Sequence, residues 1–201
     1  MKNYAFILMA CLTLGLTSCK NDKKSNDMDS NSTEMTSDSS AMDNDAMAKD
    51  QIKKVTVQLQ SKSGSKVEGN VVFTQENGEV KMTAVLSGLK PGKHAIHIHE
   101  NADCSADDGK SAGGHWNPTD EEHGKWGSSD GYHRGDIGNL EADENGNATI
   151  TRTTDEWCIG CDDEKMNIIG HGIIVHEGAD DFTSQPSGNA GARVACGEIK
   201  Q

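Results

Sequence analysis

Aromatic side chains and basic charge are both scarce in this chain. Three Trp, two Tyr and three Phe among 201 residues leave the packing of any core to aliphatic side chains. Nineteen Lys and Arg against 32 Asp and Glu give a formal net charge of -13, which argues against nucleic acid and anionic membrane surfaces as partners. Apolar residues at helical spacing are hard to find anywhere. Between Lys20 and Asp50 there is no aromatic residue and no Val, Ile or Leu. Such a stretch cannot bury enough apolar surface to offset its ordering entropy, so residues 20–50 are expected to be a disordered tether. Met28, Met35, Met42 and Met47 punctuate it; thioether sulfur suits Cu(I), but the adopted reading is a spacer.

A bilayer-spanning run is also missing: the apolar stretch from Tyr4 to Leu16 is too short. Its order of positive start at Lys2, short apolar region and Leu16-Thr17-Ser18-Cys19 is similar to a bacterial lipoprotein signal. Residues 1–19 are therefore expected to be a signal peptide, with Cys19 lipidated after cleavage and anchoring the chain to a membrane. This implies the bacterial cell envelope, on the periplasmic or outer-membrane side, an oxidising compartment.

Residues 51–201 have the length of one domain with its own core. Val55, Val57 and Leu59 alternate with polar residues, as do Val80, Met82, Ala84 and Leu86, the period of half-buried strands. Asn77-Gly78 and Asn145-Gly146 read as hairpin turns. Strands are expected at 51–60, 66–75, 79–87, 93–100, 137–143, 147–153, 168–176 and 193–200, giving an all-β fold, an eight-stranded antiparallel barrel or sandwich. Two long connections, Asn101 to Asp136 and Glu177 to Ala192, are expected to be functional loops.

Against these scarcities the chain is rich in histidine. His97, His99, His115, His123, His133 and His176, with Asp136, are separated by apolar, Gly and Trp residues, unlike a low-complexity metal-scavenging tract. Imidazoles with a single carboxylate suit zinc or copper. In the strand around Lys93-His94-Ala95-Ile96-His97-Ile98-His99, alternation puts His97 and His99 on one face and His94, Ile96 and Ile98 on the other. The apolar face belongs to the core, so the histidine pair projects outward from the barrel wall and His94 is a core or backbone-bonded residue. His176 ends another strand and can join the pair. His123, His133 and Asp136 supply three of the four ligands of a closed zinc site. Either His115 completes that set, or it joins copper, or each ring nitrogen serves one ion.

The segments GKHAIHIHE, SAGGHWNP, HRGDIGNL, VHEGADD and GNAGARVACG occur in this order, and through them residues 51–201 resemble the copper/zinc superoxide dismutase family. The resemblance implies a Greek-key barrel. It implies copper held by His97, His99, His115 and His176, and zinc held by His115, His123, His133 and Asp136. It also implies that Asp180 ties His97 to His123, that Arg193 binds the anionic substrate superoxide, and that His115 handles a proton during turnover. Dismutation of superoxide to dioxygen and hydrogen peroxide is the implied activity, in antioxidant defence. The alternative is a copper/zinc-binding envelope lipoprotein without turnover. One sequence leaves the oligomeric state, a homodimer included, open.

Cys11 leaves with the signal. The resemblance implies a Cys104–Cys196 disulfide, and Cys158 with Cys161, outside the common pattern, reads as a local disulfide in an exported protein. The loop from Glu177 to Ala192 has no lysine, so weak electrostatic steering is expected, with Lys125 as the substitute cation. His171 is expected on the surface.

Overall fold

The alternating segments form eight strands in the computed structural model, which describes residues 52–201. The expected signal peptide, Cys19 and the whole of the expected tether lie outside the described residues. The strands are β1 (Lys53–Ser61), β2 (Glu68–Glu76), β3 (Glu79–Ser87), β4 (Gly92–His99), β5 (Gly138–Ala142), β6 (Ala148–Thr154), β7 (Gly172–His176) and β8 (Arg193–Glu198). All neighbours are antiparallel, and the sheet closes in the order β1-β2-β3-β6-β5-β4-β7-β8. The β3–β6 and β4–β7 pairings are the non-sequential contacts that make the barrel a Greek key. Closure leaves no free sheet edge.

Side-chain parity builds the core. Val55, Val57 and Leu59 of β1 and Val80, Met82, Ala84 and Leu86 of β3 are buried, while Lys54, Thr56, Gln58, Lys81 and Val85 face solvent. Asn77 and Gly78 take the left-handed φ values of 53° and 83°, and their tight turn joins β2 to β3 in the paired register Glu76 to Glu79. The core is less purely aliphatic than the scarcity of aromatics implies. Phe73, Trp116 and Trp157 are buried in the main apolar cluster, because each large ring removes much apolar area from water. Trp157 stands edge-on to Phe73 and Trp126, at 6.2 and 5.1 Å between ring centres. Its indole N–H donates to the Arg134 carbonyl at 3.0 Å.

The expected strand boundaries shift by a few residues. The largest change is at β7, which starts at Gly172 rather than 168. Ile168 instead donates its N–H to Cys158 O at 3.0 Å, pairing with the loop after β6 rather than with the barrel. That loop carries the Cys158–Cys161 disulfide, and Cys104 bonds to Cys196 across a sequence separation of 92.

Candidate metal centre

β4 sets the geometry. Ile96 and Ile98 enter the core, and His97 and His99 take the opposite face, yet both histidines are also buried, because the long connections fold over the outside of the barrel here. Two backbone bonds fasten the first connection to β4, and a third ties its two arms together. Ile98 N–H donates to Gly135 O at 2.9 Å, Gly135 N–H to Trp116 O at 3.0 Å, and Trp116 N–H to Ile98 O at 2.9 Å. This junction sets His115, His133 and Asp136 beside His97 and His99. Gly135 has to be glycine, since a Cβ there would lie 2.2 Å from Ile98 O.

Two groups of four ligand atoms result. His97, His99, His115 and His176 converge in one, and His115, His123, His133 and Asp136 in the other, the atoms of each group lying within 4.8 Å of one another. In the first group Nδ1 of His97 and Nε2 of His99, His115 and His176 are buried and have no hydrogen-bond partner. Buried polar atoms are nearly always satisfied, and each orphan costs about 1–3 kcal/mol; four convergent imidazole lone pairs fit a copper ion. The opposite ring nitrogens are engaged: His97 Nε2 with Asp180 at 2.8 Å, His99 Nδ1 with Gly113 O at 3.0 Å, and His176 Nδ1 with Gly191 O at 3.3 Å. Donation from those nitrogens leaves the convergent ones as acceptors.

In the second group Asp136 divides its two oxygens. Oδ2 accepts the N–H groups of Gly124 and His133 at 3.1 and 2.8 Å. Oδ1 faces Nδ1 of His115, His123 and His133 at 2.7, 3.0 and 3.3 Å. Three imidazole nitrogens around one carboxylate oxygen are the donor set of a closed tetrahedral zinc site. His115 belongs to both groups, with Nε2 toward the first and Nδ1 toward the second.

Electrostatics separate the rings. Burial, reinforced by neighbouring imidazoles, pushes His115 down to about 4 and His176 down to about 3, and holds His99 well below the usual histidine range. These rings are neutral at pH 7, the state a metal needs. Burial opposes charge on His123 too, but the carboxylates of Asp136 and Asp180 beside its two ring nitrogens outweigh it and raise the ring to about 9. The same histidine bonds lower Asp136 and Asp180 despite their burial.

Asp180 connects the groups, with Oδ2 on His97 Nε2 at 2.8 Å and Oδ1 on His123 Nε2 at 2.9 Å. Three residues that sequence reasoning missed hold this connection. Asn139 clamps the Asp180 backbone, accepting its N–H at 2.8 Å and donating to its carbonyl at 2.9 Å. Gln185 clamps His123 likewise, at 2.9 Å in each direction. Gly188, at φ +67°, leaves room for the carboxylate, because its Cβ would lie 1.8 Å from Asp180 Oδ1. Asn139 and Gly188 both fall inside the family-like segments, which was the available signal.

A cleft of about 390 Å³ opens onto the first group, lined by His99, Glu100, His115, His176, Pro186 and Arg193 among others. Arg193 is half-buried, and its guanidinium donates to Gly109 O at 2.8 Å and Gly113 O at 2.7 Å. Lys125 is exposed and is not among the residues that line the cleft. His94 bonds to the carbonyls of His176 and Lys90 at 2.9 and 2.8 Å, the backbone-bonded role that strand parity implies. His171 is half-buried rather than a free surface residue: it stacks on Trp116 at 4.6 Å and bonds to Glu100 O at 2.8 Å.

A β-barrel whose outer wall carries two four-ligand groups meeting at one histidine defines a class, that of metalloproteins built for a pair of neighbouring ions. Residues 67–199 match the family Copper/zinc superoxide dismutase (SODC), and the chain belongs to that family. It is 41% identical over 143 residues to the extracellular superoxide dismutase [Cu-Zn] of Drosophila melanogaster, covering 67% of this chain and 76% of the relative. Among solved structures it resembles a double mutant of a SOD-like protein from Bacillus subtilis, at a TM-score of 0.65 and 35% identity over 73% of this chain and 97% of the other. The clock protein EA4 is similar at a TM-score of 0.64 and 34% identity, over 73% and 93%. The family's cofactors are copper and zinc and its activity is superoxide dismutation.

Proposed function

We propose that this chain dismutes superoxide, with copper at His97, His99, His115 and His176 and zinc at His115, His123, His133 and Asp136. The observation that carries the reading is His115, whose two ring nitrogens face the two ligand groups separately. Copper held by His97, His99, His115 and His176 would supply one-electron exchange with superoxide, and redox-silent zinc held by His115, His123, His133 and Asp136 would have a structural part. Two superoxide anions and two protons become one dioxygen and one hydrogen peroxide. Arg193, anchored by two carbonyls, presents a fixed guanidinium that attracts the anion into the cleft. His115 holds a proton at Nε2 when that atom is free and passes it to the reduced substrate, and Asp136 and the zinc side keep the ring from turning. Asp180 orients His97 and His123 without touching substrate.

The proposal extends to the chain outside the described residues: residues 1–19 a lipoprotein signal, Cys19 the lipid anchor, residues 20–50 a tether, and residues 51–201 the catalytic domain in the cell envelope. The two disulfides support a non-cytoplasmic location. His176→Ala tests the site. It is expected to lose copper and superoxide removal while retaining most zinc, read by elemental analysis and a superoxide assay of the same sample. Full activity in the variant overturns the copper assignment.

A further inference from the structure

The cleft that contains Arg193 also contains a carboxylate. Glu100 directly follows the ligand strand β4, is exposed, and lines the same cleft. Its side chain is not free to swing away. Its Oε2 accepts the Gly114 N–H at 2.9 Å, and its own N–H donates to Gly114 O at 3.0 Å. Its carbonyl accepts from the ring of His171, which is stacked on Trp116. The Gly113 carbonyl in the adjoining peptide is the acceptor for both Arg193 Nη2, at 2.7 Å, and His99 Nδ1, at 3.0 Å. Gly113 itself sits at φ +78°, with the space of its missing Cβ 2.4 Å from Glu100 Oε2, so the carboxylate packs directly over this peptide.

We propose that Glu100 is a specificity-determining and positioning residue with two opposed effects on anions. Through Gly113–Gly114 it braces the peptide that aims Arg193 and a copper ligand, and its fixed negative charge at the cleft lowers the affinity for any anion that Arg193 attracts. The carbonyl acceptors on Arg193 are neutral, and two carboxylates, Asp108 and Glu100, act on the guanidinium through space. Asp108 is engaged by Lys110 at 3.0 Å; Glu100 has no ion-pair partner among the described residues, which leaves its charge uncompensated at the entrance. Unit charges at such separations near a protein surface interact by an amount that salt screens strongly.

This inference rests on the copper and superoxide reading, and azide supplies a readout independent of turnover. Azide binding to the copper-loaded, zinc-loaded protein is titrated optically at low and high ionic strength, beside superoxide decay. Glu100→Gln keeps an oxygen acceptor for Gly114 and removes the charge. Glu79→Gln removes the same charge from the exposed start of β3, and Glu100→Ala removes both charge and brace. Glu100→Gln is expected to bind azide about threefold or more tighter at low salt than Glu79→Gln, with the difference shrinking at high salt. Equal azide affinities in these two variants overturn the charge role. Glu100→Ala is expected to bind azide more weakly than Glu100→Gln, and equality there overturns the brace. Native protein that binds azide at copper but removes no superoxide would contradict dismutation while leaving the Glu100 comparison intact.

Discussion

Asp180 is the residue on which both ligand groups depend. Its two oxygens fix the tautomers of His97 and His123, and partners of this kind are worth about 10–100-fold in metal affinity. Asp180→Asn is expected to weaken copper and zinc together by about that factor, measured by competition against a chromophoric chelator; weakening of one metal alone contradicts the connecting role. His123 gives a pH prediction. Raised to about 9 without metal, it carries a proton at pH 7.5, and zinc has to displace it. Zinc affinity is therefore expected to rise with pH up to about 9 and then level off, and calorimetry in buffers of different ionisation enthalpy is expected to find about one proton released per zinc near neutrality. No proton release at pH 7.5 contradicts the raised value. His115 and His176, lowered to about 4 and about 3, act with the opposite sign. Their unfolded rings bind protons from about 6.5 downward while the folded ones do not, so the metal-free domain loses their contribution as pH falls through that window.

At the scale of elements, β4, the end of β7 and two loops make the site. The strand is held from the core side by Ile96 and Ile98, and the loops are held by the Ile98–Gly135–Trp116 junction and by Cys104–Cys196. The two disulfides differ in what they constrain. Cys104–Cys196 closes a separation of 92 residues and ties the first loop to β8, whereas Cys158–Cys161 closes a separation of 3. Replacing Cys104 and Cys196 by Ser is expected to cost about 2–5 kcal/mol in denaturant unfolding. The same change at Cys158 and Cys161 is expected to cost less, and an equal or greater cost contradicts this ordering. Strand parity made the His97 and His99 face readable from the sequence, since an alternating strand leaves one choice once Ile96 and Ile98 are given to the core. The turn at Asn77-Gly78 was readable for a similar reason, its backbone demanding residues that tolerate positive φ. Strand periodicity could not reveal the clamps of Asn139 and Gln185, since each acts on the backbone of a residue 41 or 62 positions away, contacts created only when the second loop docks on β5 and on the first loop. His171 eluded the reading for the same cause, because its partner Trp116 reaches it only after the first loop has folded onto β4.

For the whole molecule the charge of -13 works against an anionic substrate, and Arg193 acts on it only at short range. Steering is therefore expected to be weak, and a rate that fell steeply with added salt would contradict it. The acidic composition, the closed barrel and the two disulfides suit a stable protein outside the cytoplasm, and the paired ligand groups are the part proposed to do chemistry. The decisive measurement is the decay of superoxide followed directly in the presence of the copper-loaded and zinc-loaded protein. The predicted result is a decay rate proportional to protein concentration and lost on removal of copper. Decay no faster than with the metal-free protein would contradict the reading of this site as a dismutase.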